Sequence, residues 1–329
     1  MSDSKLAPLG ADPTPQAVIV PYAAAAPEGA RAALSALQLP HLDRLLPTLQ
    51  AAPTDEGDEY HYIPPHERAL ARALGLPDGV SPAAPPPWAA HRAQQQGAAP
   101  GTAWAWFYPC HWLVGADQIQ MSAPSELALS EREAQALLAV LAPFFAEDGI
   151  TLQIDTPERW LASGEVFRDL HSAALDRVLR RDIQLWLPEG PGARTLRRLQ
   201  SETQMLLYTH PLNEARQAAR RPVVNSFWVS GSGVLPATWQ APRQAPTVWD
   251  TLHQPALDGD WAAWSAAWQQ LDAGPVRELL QRSEAGQPIE LTLCGERSAR
   301  RWHSAPRSLG QKLKGWFQRP RCNTALEAL

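Results

Sequence analysis

Ser130-Glu-Arg-Glu-Ala-Gln-Ala-Leu-Leu-Ala-Val-Leu-Ala-Pro-Phe-Phe-Ala-Glu-Asp-Gly-Ile-Thr-Leu-Gln-Ile154 reads as a helix, a stop and a strand. Ser130 and Glu133 have the spacing of a capping box, in which hydroxyl and carboxylate satisfy each other's orphan backbone N–H groups. The helix runs to about Phe145, Gly149 ends it, and Ile150 to Ile154 form a strand.

Working outward, the same alternation recurs. Ala17-Val-Ile-Val20 is a short buried-type strand stopped by Pro21. Trp104 to Tyr108, Val223 to Val229 and Ile289 to Cys294 read as strands. Pro64-Pro-His-Glu-Arg68 opens a helix, with proline in the first turn and Glu67 at the positive end of the dipole. Thr195 to Tyr208 is another helix, stopped at His210-Pro211. Trp261, Trp264 and Trp268 lie on one face of a helix capped by Asp258 or Asp260.

Interleaved strands and helices indicate an α/β class, with a mixed sheet core flanked by helices. The domain reading is a flexible tail at 1–15 and a core from 16–112 plus 216–304. An inserted α+β lobe spans 113–215, and a basic amphipathic segment spans 305–329. Residues 78–102, with PAAPPP and QQQGAAPG, read as a low-complexity loop within the core.

The composition is less specific. The chain has 329 residues, enough for one large domain or two modest ones. Its net charge of −5 excludes a uniformly basic nucleic-acid binder. Three cysteines are too few and too scattered for a disulfide scaffold or a Cys-based zinc site. No segment has the ~18 apolar residues of a membrane span. Met1 to Gln16 lacks the apolar core of a signal peptide, so a cytoplasmic protein is expected. Tryptophan is abundant, and lysine occurs only at positions 5, 312 and 314, as a GC-rich genome would produce.

The charge is unevenly placed. Residues 1–60 carry −5, whereas 297–321 carry eight basic groups and no acid. Leu309, Leu313, Trp316 and Phe317 supply an apolar stripe there. Such a segment suits nucleic acid, an acidic partner, an anionic membrane surface, or docking on its own domain.

Several constellations bear on chemistry. Ser230, Gly231, Ser232 and Gly233 follow a strand and could present backbone N–H groups to a phosphate. A plain turn is the alternative, because Pro236 follows and no helix start stands behind it. Asn213 and Arg216 share a helix face after His210, an arrangement able to clamp a phosphate or carboxylate. Helix-junction capping is the alternative. Cys110 and His111 are neighbours on a strand and point to opposite faces, so they form no dyad, and His111 has a packing or binding role. His61 and His66 lie near Asp58, Glu59 and Glu67, but their spacing matches no metal motif.

His210-Pro-x-Asn213-x-x-Arg216 followed by Asn225-x-x-Trp228-x-x-Gly231-x-Gly233 resembles a stretch of the archaeal-type cofactor-independent phosphoglycerate mutases. Over its whole length the chain is similar to bacterial RpfE-type regulatory proteins, often described as phosphoglycerate mutases. Pro64 to Leu76, Pro109 to Trp112, Asn225 to Gly233 and Leu291 to Glu296 carry that likeness. The resemblance implies a degenerate relative of the alkaline-phosphatase-like fold. It implies a cleft between core and lobe carrying His111, His210, Asn213, Arg216, Asn225 and the Ser230–Gly233 segment, with a phosphorylated or anionic small molecule as ligand.

The mutases hold two divalent metals, one on an Asp-Gly at the end of the first strand. Here that strand ends in Pro21-Tyr22-Ala23, and 237–303 hold only His253 and His303 as histidines. Phosphoryl transfer by that route lacks its electrophile. The favoured expectation is therefore a non-catalytic regulatory protein without a cofactor. An active mutase or phosphotransferase with two metals is the first alternative. An interaction module using its basic tail is the second.

Overall fold

The computed structural model describes residues 15–79, 85–305 and 322–329. The strands in chain order are β1 (Gln16–Val20), β2 (Gln50–Ala51), β3 (Ala103–Cys110), β4 (Trp112–Val114), β5 (Ile119–Met121), β6 (Thr151–Thr156), β7 (Arg159–Ser163), β8 (Ser226–Val234), β9 (Thr247–Val248), β10 (Ile289–Cys294) and β11 (Ala299–His303). Helices interleave with them, so the class is mixed α/β. The chain divides into two compact units, one of residues 1–56 with 243–329 and one of residues 57–242.

The first unit is built on a five-stranded sheet of order β2-β11-β10-β1-β9. β10, β1 and β9 run parallel, and β11 and β2 add antiparallel pairs at one edge. Val18, Val20, Leu291 and Leu293 enter a core shared with Trp264 and Trp268. These two indoles lie on the helix Trp261–Leu271, N-capped by Asp260. They do more than fill volume. Trp264 donates to the Tyr22 carbonyl at 2.9 Å and Trp268 to the Ala23 carbonyl at 3.1 Å. Tyr22 has φ of +51° in that turn, so its backbone is held in a conformation that side chains disfavour.

The second unit holds a four-stranded antiparallel sheet of order β6-β7-β3-β8 and a separate β4–β5 hairpin. The period of two along β3 sorts its residues. Ala103, Ala105 and Phe107 face one core, where Phe107 stacks on Phe227 at 4.7 Å and meets Trp160 and Phe145. Trp104 and Trp106 face the other side, against the helix Trp88–Gln95. The sheet is thus covered on both faces, which is why β3 reads as aromatic without clean alternation.

Three differences from the sequence reading have physical causes. The strands expected in one core fall into two sheets, β1 with β10 and β3 with β8, because each pairing buries its own apolar faces. The stretch 78–102 contains the helix Trp88–Gln95, whose Ala89, Ala90 and Ala93 allow close packing on a sheet. Ser230–Gly233 is not a turn but the last part of β8. Residues 1–14 of the expected tail and residues 306–321 of the expected basic helix lie outside the described residues. Residues 322–327 form a helix whose Leu326 is buried in the first unit's core.

Candidate functional site

The segment Ser130–Ile154 folds as its pattern dictates, with both halves of the capping box formed. Glu133 has a second partner. The guanidinium of Arg216 donates to Glu133 Oε1 at 2.6 Å, to the Leu127 carbonyl, and through Nε to the Pro222 carbonyl at 2.6 Å. Burial alone would raise the Glu133 carboxyl. The Ser130 N–H and hydroxyl together with Arg216 overcome this and hold it down at about 2.

The other expected ligand residues gather around the chain leading into β8. Asn213 accepts from the Val224 N–H at 2.9 Å and donates to the Val224 and Leu207 carbonyls. It ties the end of the helix Ala193–Tyr208 to the next strand. His210 caps the helix Pro211–Ala218, its Nδ1 accepting from the Leu212 N–H. Asn225 accepts from the Trp112 N–H at 2.7 Å and donates to the Trp112 carbonyl at 3.0 Å. His111 Nδ1 lies 2.8 Å from the Val223 carbonyl. His111, His210, Asn213, Arg216 and Asn225 are thus brought together, each bonded to protein backbone or side chain.

Ser230, Gly231, Ser232 and Gly233 lie elsewhere in the unit. Trp106 pairs with Ser230 and Trp104 with Gly233, leaving an irregularity between them. Gly231 has φ of +57°, and a Cβ built on it would sit 2.9 Å from Trp88 Cβ and 2.9 Å from Trp106 Cδ1. The glycines answer to the close approach of the helix Trp88–Gln95. Ser232, fully buried, donates to the Leu170 carbonyl at 2.7 Å and bonds Ser172 Oγ at 2.8 Å.

Ser172 leads to a pocket of about 220 Å³ within residues 57–242, lined by Tyr60 to Ile63, His171, Ser172 and Glu189. Its walls come from loops held by backbone bonds. His171 and Glu189 exchange both N–H···O=C bonds at 2.9 Å. The Trp228 indole donates to the Ala173 carbonyl, and the buried Arg68 donates to the Ile63 carbonyl at 3.0 Å. Tyr62 donates to the Leu187 carbonyl at 3.1 Å, and its ring lies 6.0 Å from Trp186. Burial, then the charge and hydrogen bond of Glu189, raise the Tyr62 phenol above its ordinary range.

Of the lining side chains only His61 was a candidate in the sequence, and its company there differs. His61 Nδ1 meets the Ile63 backbone, His66 Nε2 lies 3.4 Å from Asp176, and Glu67 accepts from the Trp88 indole. His171 and Glu189 are 18 positions apart on loops, and no motif links them.

At the end of β1 the turn Pro21 to Ala26 carries no carboxylate. The Tyr22 ring instead stacks on His253 at 5.1 Å. Among the described residues no helix is long and apolar enough to cross a membrane.

These features define a mixed α/β protein of two units with a lined pocket in the second. No protein-family model matches the sequence, and no curated protein does. The cofactor-independent phosphoglycerate mutase from Thermoplasma acidophilum DSM 1728 is similar at 13% identity and TM-score 0.34, over 88% of this chain and 89% of that one. The PH0037 protein from Pyrococcus horikoshii is similar at 9% identity and TM-score 0.38, over 88% and 87%.

Proposed function

We propose that residues 57–242 bind a small molecule in the pocket between Tyr60–Ile63, His171–Ser172 and Glu189, and that the protein acts by binding, as a regulatory protein, rather than by phosphoryl transfer. The observation that carries this reading is the way the pocket floor is built. Ser232, on the sheet, fixes Ser172 at the base of a concave site whose rim carries aromatic rings, imidazoles and a carboxylate. A few placed polar groups on a largely apolar concavity are the usual make-up of a small-molecule site. A phosphorylated ligand held by Arg216 competes with this reading. It requires Arg216, only 2% exposed, to exchange its protein partners for the ligand.

The test is a ligand-observed NMR screen of a neutral, cationic and anionic fragment library against the intact chain. It is repeated on His171→Leu, which removes the imidazole from the pocket lining, and on Arg216→Lys. Hits lost in His171→Leu and kept in Arg216→Lys support the pocket. Hits indifferent to His171→Leu, or no hit at all, overturn it.

A further inference from the structure

The proton bookkeeping of the pocket names the kind of ligand it takes. This step rests on the binding role proposed above. Ser232 has one hydroxyl proton, and it goes to the Leu170 carbonyl at 2.7 Å. In the 2.8 Å bond between Ser232 and Ser172 the donor is therefore Ser172. With its own proton spent, Ser172 Oγ has only lone pairs to offer at the pocket floor. The one proton of the Tyr62 hydroxyl is taken up by the Leu187 carbonyl and the neighbouring Glu189 carboxylate, so this hydroxyl too offers lone pairs. Glu189 is a carboxylate and only accepts. No lysine or arginine is among the described residues lining the pocket.

The imidazoles of His61 and His171 on the rim can each donate an N–H, but Glu189 faces an anion with a like charge, and Ser172, Tyr62 and Glu189 are acceptors. A ligand rich in N–H donors satisfies all of them, and a positive charge adds attraction to Glu189. The rings of Tyr60, which is 59% exposed, and Tyr62 offer π faces to a cation or to a flat apolar body. We infer that the pocket takes a cationic nitrogen ligand, an amine or guanidine on a small planar apolar body.

Five probes of one shape test this on the intact chain: benzylamine, phenylguanidine, benzyl alcohol, benzoate and phenyl phosphate. Binding at neutral pH is read by isothermal titration and by saturation-transfer NMR. The expected order places the amine and the guanidine first, the alcohol weaker, and both anions without binding. Glu189→Gln, an exposed change whose fold is checked by circular dichroism, should weaken the amine about tenfold, or about 1.4 kcal/mol. It should leave the alcohol unchanged.

Preferred binding of benzoate or phenyl phosphate that His171→Leu abolishes would overturn the cationic class while leaving the pocket standing. An amine affinity that Glu189→Gln does not change would do the same. If none of the five probes binds at millimolar concentration, the pocket reading itself falls, and this inference with it.

Discussion

Gly231→Ala is the sharpest test of why glycine stands in the Ser230–Gly233 segment. In β8 this residue has φ of +57°, and an added Cβ would lie 2.9 Å from both Trp88 Cβ and Trp106 Cδ1. The left-handed backbone costs an ordinary side chain about 1–2 kcal/mol. Overpacking against a Cβ fixed to a helix backbone, which cannot swing aside, costs about 1–3 kcal/mol more. Together they give about 2–5 kcal/mol, and at roughly 2–4 °C per kcal/mol for a unit of this size the melting transition falls by roughly 4–20 °C.

Gly97→Ala is the control. Its φ is +89°, but nothing lies within 4 Å of the added atom, so only the backbone cost of about 1–2 kcal/mol applies. Calorimetric melts of both variants separate the two causes. If Gly231→Ala melts within about 1 °C of Gly97→Ala, close helix approach does not explain the glycine.

Three further outcomes are expected. Ser232→Ala orphans the Leu170 carbonyl and the Ser172 hydroxyl, costing about 1–3 kcal/mol by urea melt, and it weakens any pocket ligand although Ser232 does not line the pocket. The folded-state value of Glu133 lies near 2, below its ordinary 4.5, so its stabilisation is complete above the ordinary value and is lost as pH falls toward 2. Glu133→Gln should therefore flatten that acid limb in pH-dependent melts, and an unchanged slope would refute the coupling. All three cysteines are buried, and burial pushes the Cys322 thiol up, so the native protein should react slowly with a thiol reagent at pH 8. Leu326→Asp, which undocks the helix Cys322–Glu327, should release one fast-reacting thiol per chain, and no change in the labelling count would refute that docking.

What the sequence made legible was local. The Ser130 box, the stop at Gly149 and the apolar run of β1 each specify themselves within a few residues, and each is formed. The tryptophan stripe on the helix Trp261–Leu271 also reads correctly as core-facing. Pairing was not legible. β3 is apolar throughout and β10 alternates apolar residues with Glu290 and Thr292, but nothing within either sets its partner. The helix Trp88–Gln95 was hidden because alanine and glutamine beside a proline run look like filler, yet small side chains are what close packing on β8 demands. The expected ligand residues showed a real pattern, and Arg216 and Asn213 do sit together, but the same spacing serves a helix junction. The pocket had no motif because backbone bonds between distant loops create it, as between His171 and Glu189.

The abundance of tryptophan, which the composition left open, has a mechanical basis at several positions. Trp264 and Trp268 bond the turn after β1, Trp228 bonds the Ala173 carbonyl below the pocket, and Trp239 bonds the Leu74 carbonyl at the end of a helix. Trp88 reaches the Glu67 carboxylate in the same way. For Trp228, Trp264 and Trp268, all fully buried, a large apolar ring fills the core while its one N–H satisfies a carbonyl that packing would otherwise strand. Phenylalanine could replace the area but not the donor, so it would leave a buried carbonyl unpaired. Loops with awkward backbones, such as the turn holding Tyr22 at positive φ, gain most from such an anchor, which here holds the Tyr22 and Ala23 carbonyls. The indoles and the loops are therefore one design: irregular connections can shape a pocket or close a sheet because a rigid ring from the adjoining element holds their carbonyls.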